Sequence, residues 1–167
     1  ALPPMSGSIF GVSMDIADLL SSDGIVLRGG ASSKRQALHA VAEAFGAAFD
    51  LDADKAFEAL QEREALGSTG LGSGVAVPHA RIKGLDRVCA VFVRLDTPVA
   101  YESLDDRPVD LLFALFAPLD AGAEHLRALA AVSRALRSPE LREQLRQART
   151  VDAIRALFVK DVSKTAA

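Results

Sequence analysis

The chain has no tryptophan, one tyrosine and a single cysteine among its 167 residues. One thiol, Cys89, can form neither an internal disulfide framework nor a paired thiolate metal site, and a reducing cytoplasm suits it best. Long apolar runs are missing as well. The longest, Leu111 to Leu119, falls far short of the about 20 residues needed to cross a bilayer, so no membrane insertion is expected. Neither sign of charge dominates: 19 basic against 22 acidic residues leave a formal charge of −3, with the signs interspersed. Without a basic stripe carrying aromatics, nucleic acid is a poor partner. The histidines His39, His79 and His125 lack ligand spacing such as H-E-x-x-H, so no metal is expected. There is no G-x-x-x-x-G-K-[ST], and Gly70-x-Gly72-x-Gly74 lacks the spacing of a dinucleotide loop, so no nucleotide cofactor is expected. No G-x-S-x-G elbow lies near His79, which disfavours a hydrolase.

What is present is enough apolar material, 50% of residues, for one compact domain with a real core. We assign residues 1–12 to a tag scar and flexible N-terminus, 13–159 to the domain, and 160–167 to a flexible C-terminal tail. A short helix is expected from Met14 to Leu20, and Gly24 to Leu27 before Gly29-Gly30 reads as a strand ending in a turn. Ser33 to Gln36 forms a capping-box pattern, and Leu38, Val41, Phe45 and Ala48 recur at helical spacing to about Phe49. Asp52 or Asp54 starts a second helix through Phe57 and Leu60 to about Glu64. Val88–Leu95 and Val109–Ala117 are nearly continuous apolar runs, the pattern of strands buried on both faces, so helices must cover both sides of the sheet. The last third is helical: Ala123 to Leu136 with Leu126, Leu129, Val132 and Leu136 inward, then a helix capped by Ser138 with Pro139 in its first turn, then one capped by Thr150. The resulting expectation is an α/β fold, a single-domain α/β/α sandwich on a mixed parallel and antiparallel sheet.

One segment resists a purely structural account. Gly67-Ser68-Thr69-Gly70-Leu71-Gly72-Ser73-Gly74 is too glycine-rich for either regular element and reads as a loop, and it runs into Val75-Ala76-Val77-Pro78-His79. Pro78 cannot donate to a ladder and holds Val77 extended, which places it at a strand edge or end with His79 at a rim. Backbone amides and the hydroxyls of Ser68, Thr69 and Ser73 can then make a nest for an anion. His79 by itself is open to an exposed, structural reading; the adjoining loop shifts the balance toward chemistry. His125, near the start of its helix, is either a solvated residue or a partner of His79. Arg63 ends the helix before the loop; it is either solvated or a planar fork for a phosphoryl group. His39 reads as surface, Cys89 as core, and Asp105-Asp106-Arg107 as a solvated turn.

The stretch from Arg63 to His79, followed by Pro108 to Leu115 and by His125-Leu126, resembles the EIIA family of the fructose and mannitol type in bacterial phosphoenolpyruvate-dependent phosphotransferase systems, above all its nitrogen-regulatory branch. The likeness extends from about Asp15 to Phe158, although Ala80-Arg81 and Arg127 stand where that branch often has glycine-lysine and a further histidine. The resemblance implies a phosphotransferase component in which His79 accepts a phosphoryl group, His125 is the second site histidine and Arg63 the site arginine, with Gly67, Ser68, Thr69, Gly70, Gly72, Ser73 and Gly74 cradling phosphate. It implies a histidine phosphocarrier protein as donor, a regulated downstream protein such as a potassium transporter or sensor kinase, and a monomer or weak homodimer. A sugar-transport EIIA handing phosphate to a separate EIIB is the alternative, and a docking module without catalysis is a second.

Overall fold

A computed structural model describes residues 15–159; the expectations for segments 1–12 and 160–167, and for Met14, lie outside them. The first expected helix is a single 3-10 turn, Ile16–Leu19, capped by Asp15. Strand β1, Leu20–Gly29, follows and is longer than its Gly24–Leu27 core suggested. Helix α1 runs Lys34–Phe49 and α2 runs Ala53–Ala65. Their caps follow side-chain chemistry: the Ser33 hydroxyl accepts from Gln36 N, and Asp52 accepts from Asp54 N and Lys55 N. The return half of the Ser33 capping box is displaced by one residue, because Gln36 Oε1 accepts from Ser32 N and not from Ser33 N.

Three short strands come next, β2 (Gly70–Gly72), β3 (Val75–Ala76) and β4 (His79–Arg81), then the long β5 (Cys89–Val99) and β6 (Val109–Ala117). The described residues close with α3 (Ala123–Ala135), α4 (Pro139–Gln147) and α5 (Val151–Phe158), the last two capped by Ser138 and Thr150. The sheet order is β1-β5-β6-β3-β2, with β4 also on β6. The β1–β5, β3–β6 and β4–β6 pairs are parallel; β5–β6 and β2–β3 are antiparallel. The mixed sheet expected from the sequence is therefore present.

Period-two alternation along β5 and β6 divides the core into two layers. Cys89, Val91, Val93, Leu112, Ala114 and Phe116 face α1 and α2. Ala90, Phe92, Leu111, Phe113 and Leu115 face α3, α4 and α5. Both strands are buried on both sides, which is why they read as unbroken apolar runs.

Two expectations fail. The Gly67–Gly74 segment is not wholly irregular: β2 and β3 form a hairpin closed by Ser73 at φ 57° and Gly74 at φ 81°, the two positive angles that a tight I′ connection requires. Its glycines answer that turn and a close approach, since a Cβ on Gly70 would collide with the Ser103 hydroxyl. Within α3 the inward stripe is His125, Ala128, Val132 and Leu136; Leu126, expected inside, is 67% exposed. Val132 and Leu136 are inward as expected and Leu129 packs partly buried on the same core; only the first position differs, where His125 and not Leu126 turns inward.

Candidate functional site

Pro78 lies between β3 and β4, directly ahead of His79, the first residue of β4. Val75 pairs with Leu111, Ala76 with Leu112, His79 with Leu115 and Ala80 with Phe116, so β3 and β4 follow β6 in one register with the proline between them. Pro78 still accepts from Leu115 N through its carbonyl, and because N–H and C=O of one extended residue point the same way, its missing N–H forgoes a single ladder bond to β6. Val75, Val77 and His79 share a face by alternation, and two valines on that face are buried. His79 continues the row past the apolar core to the sheet margin, half-buried.

Each ring nitrogen of His79 has one partner. Nδ1 lies 2.9 Å from the Val77 carbonyl, and Arg63 Nε donates to Nε2 at 3.1 Å. A carbonyl can only accept, and a guanidinium can only donate. The proton therefore sits on Nδ1, and Nε2 presents the lone pair. Burial pushes the His79 pKa down and the Arg63 charge adds to this, outweighing the raising effects of the Val77 carbonyl and Glu64. The ring is neutral near pH 7, as a nucleophile must be.

Arg63 occupies the last turn of α2, where its other branch donates to Gly67 O at 2.9 Å, bridging helix end and loop. Across the margin stands His125, 6% exposed, its ring centroid 5.6 Å from that of His79. Its Nδ1 is buried without a hydrogen-bond partner, and burial, the neighbouring His79 and Arg81 all lower its pKa. Its expected solvated reading thus gives way to the reading as a neighbour of His79.

A cleft of about 470 Å³ opens over these groups, lined by Arg63, Glu62 and Leu66 from the end of α2, by His79 and Arg81, and by His125, Leu126 and Leu129 from α3. A second recess of about 350 Å³ shares Arg63 and His79 and adds Ser68, Thr69, Leu71 and Ser133. Arg81, noted in the sequence only as a departure from the branch pattern, donates to the Ala121 and Leu119 carbonyls ahead of α3 and so ties β4 to the helix carrying His125. The mouth is apolar: Leu66 is 84% exposed, with Leu71 and Leu126 beside it.

The structure thus brings Arg63, His79 and His125 together with Ser68 and Thr69, and separates them from the hairpin turn. Gly72, Ser73 and Gly74 face the other way. Ser73 N donates to Asp105 at 2.8 Å, which makes the Asp105-Asp106-Arg107 turn more than a solvated connection. Ser73 O accepts from Arg146, and Arg146 grips Asp110 bidentately at 2.9 and 3.0 Å. Cys89 is core as expected, its thiol pushed up to about 12 by burial. His39 is exposed beside Glu43. Among the described residues no cluster of metal-ligating side chains occurs, and no helix is long and apolar enough to cross a membrane.

Residues 18–161 match the family described as phosphoenolpyruvate-dependent sugar phosphotransferase system, EIIA 2. The chain belongs to that family. A Nitrogen regulatory protein of Bradyrhizobium diazoefficiens is 41% identical over 141 residues, which span 84% of this chain and 92% of that protein. The crystal structure of Nitrogen Regulatory Protein IIA-Ntr from Neisseria meningitidis is 33% identical with a TM-score of 0.81, covering 86% of this chain and 99% of that one. IIA mannitol from Escherichia coli shares the fold, with a TM-score of 0.69 at 24% identity over 83% of this chain and 98% of its own. This EIIA is accordingly a phosphotransferase-system component most like the nitrogen-regulatory proteins within its family.

Proposed function

We propose that this EIIA is a phosphohistidine carrier that accepts a phosphoryl group on Nε2 of His79 from a histidine phosphocarrier protein in the cytoplasm and regulates other proteins by its phosphorylation state. The observation that carries this reading is the division of labour on the His79 ring: Val77 holds the proton on Nδ1, so the lone pair on Nε2 points at a cationic group in an open cleft.

In the transfer the Nε2 lone pair forms the new P–N bond while the donor's P–N bond breaks, the bonding pair leaving with the donor ring. Nδ1 keeps its proton throughout, held by the Val77 carbonyl. Arg63 must withdraw from Nε2 as phosphorus arrives, and its planar fork then suits the equatorial oxygens on which charge accumulates. His125, whose ring lines the same cleft, can donate to those oxygens, as can the hydroxyl of Ser133 in the adjoining recess, whereas the Ser68 hydroxyl is committed to Tyr101 O at 3.0 Å. Thr69 has its hydroxyl committed to Glu64 at 2.7 Å, so its role is in the frame of the site. The exposed leucines at the mouth offer a docking rim for a partner protein. The names of the relatives support regulation over sugar transport.

The test is intact mass after incubation with phosphoenolpyruvate, enzyme I and the carrier protein. An acid-labile gain of about 80 Da, one phosphoryl group, is expected for wild type and not for His79→Ala. Onward labelling of a purified EIIB and then of sugar would assign the protein to transport instead. No mass gain with any cognate carrier would leave docking without catalysis.

A further inference from the structure

Beneath the site lies a buried carboxylate that the transfer itself does not use. Glu64 follows Arg63 in the last turn of α2 and is 9% exposed. Its oxygens are fully engaged: Oε2 accepts from Thr69 N at 2.7 Å and pairs with Lys34 Nζ at 2.9 Å, and Oε1 accepts from the Thr69 hydroxyl at 2.7 Å and from Tyr101 OH at 3.4 Å. Lys34 also lies 4.8 Å from the centroid of the Tyr101 ring, and burial together with Glu64 pushes the Tyr101 pKa up, so the phenol stays protonated as a donor. A buried ion pair is weak support for stability by itself, since well-packed apolar groups serve as well. Its placement is what distinguishes this one.

The Thr69 residue that Glu64 grips at two points accepts from Val77 N at 3.0 Å through its own carbonyl. Val77 O in turn receives the proton on His79 Nδ1 at 2.9 Å. A chain of hydrogen bonds therefore runs from Glu64 through Thr69 and Val77 to one nitrogen of the ring, while Arg63 reaches the other nitrogen directly. Which nitrogen of a histidine carries the proton is set by the bond that the other or the same nitrogen makes to its surroundings. We propose that Glu64 is a positioning residue for His79: through Thr69 it fixes the Val77 carbonyl that keeps the proton on Nδ1 and leaves Nε2 as the nucleophile. Two consecutive residues of one helical turn thus govern the two nitrogens of the ring. The inference rests on His79 being the acceptor.

Glu64→Gln keeps the shape but has one acceptor oxygen where three donors converge and no charge for Lys34. Long-range proton–nitrogen NMR of the full chain reads the His79 tautomer directly, and single-turnover and steady-state phosphorylation read its consequence. In wild type Nδ1 carries the proton. In folded Glu64→Gln a population protonated on Nε2 is expected, with kcat for acceptance lower by roughly tenfold and KM for the carrier protein unchanged, as misplacement of a reacting group demands. Thr69→Val, which loses one of the two Glu64 bonds at constant shape, should shift both readouts in the same direction to a smaller extent, and Thr69→Ser should restore them. A folded Glu64→Gln with wild-type tautomer, or with a shifted tautomer and wild-type kcat, overturns the proposal, as does a Thr69→Val indistinguishable from wild type. If wild type itself takes up no phosphoryl group, the acceptor reading of His79 fails, and the tautomer alone decides whether Glu64 holds the ring.

Discussion

Gly74 is the residue whose replacement should be felt farthest from its own position. Its φ of 81° lies in the left-handed region, and a Cβ there would collide with Arg146 Nη2 and sit 3.1 Å from Asp110 Oδ1. Gly74→Ala therefore does two things. It imposes a left-handed alanine, costing about 1 kcal/mol, and it drives the guanidinium off Asp110 and Ser73 O, forfeiting charge-assisted bonds worth about 2 kcal/mol. The sum of about 3 kcal/mol corresponds to a Tm lower by about 6–12 °C for a chain of this size. Arg146→Ala alone should cost about 2 kcal/mol by the same bonds. In that background Gly74→Ala has nothing left to displace and should cost only its backbone strain. The double variant is thus expected about 2 kcal/mol less destabilised than the two single effects would suggest when combined. Thermal and urea unfolding of the four proteins by circular dichroism measures this cycle. Additivity within about 0.5 kcal/mol, the behaviour of independent sites, would refute the claim that the glycine exists to admit the arginine.

Three further outcomes follow from the site. Arg63→Met removes the cation at Nε2, so the His79 pKa should rise in an NMR titration while phosphoryl acceptance falls by about 10²-fold, the usual loss for one preorganised donor. His125→Leu replaces an orphaned buried nitrogen by an apolar group of similar size, so Tm should hold or increase while acceptance falls; a lower Tm with unchanged transfer would contradict the assignment. Because His79 and His125 both have native pKa values below the ordinary value of about 6.5, the unfolded chain binds more protons than the native one in acid. Stability should therefore be flat with respect to these two rings above about pH 6.5 and decline as pH falls below it, and a His79→Ala/His125→Leu double variant should lose that part of the slope in Tm measured from pH 8 to 5.

Much of the architecture was legible because it rests on local rules. Val109–Ala117 is β6 to the residue, and Ser33, Asp52, Ser138 and Thr150 cap helices through side chains, as short polar residues before apolar periodicity do. The hairpin at Gly70–Ala76 was hidden because its turn signal, Ser73-Gly74, is embedded among other glycines that mask the strand pattern. Leu126 was misplaced because a leucine normally wins the inward position, and at a site margin a histidine took it. Arg63, His79 and His125 could be named from the family pattern, yet their convergence could not be read from spacing, since they arrive from a helix end, an edge strand and a second helix on the opposite layer. Glu64 was invisible for a related reason. Apolar periodicity says nothing about a buried carboxylate whose partners, Lys34, Thr69 and Tyr101, are scattered along the chain.

The pairing of β1 with β5 sets the order in which the chain can assemble. Ile25 aligns with Phe92 and Val26 with Val93, so β1, the first of the described strands, has no partner until β5 emerges. At the ~5–20 residues per second of translation, that delay is on the order of 10 s. Among the described residues only β2–β3 and β5–β6 join consecutive strands in antiparallel fashion, and of these two β5–β6 has the length and apolar content to seed a sheet. Folding on the ribosome should thus begin in the middle of the sequence and recruit β1 afterwards, with α1 as its temporary apolar cover. The edge that finishes last, on this account, lies across the sheet from the histidine, so the margin that carries His79 is already built when β1 closes the fold.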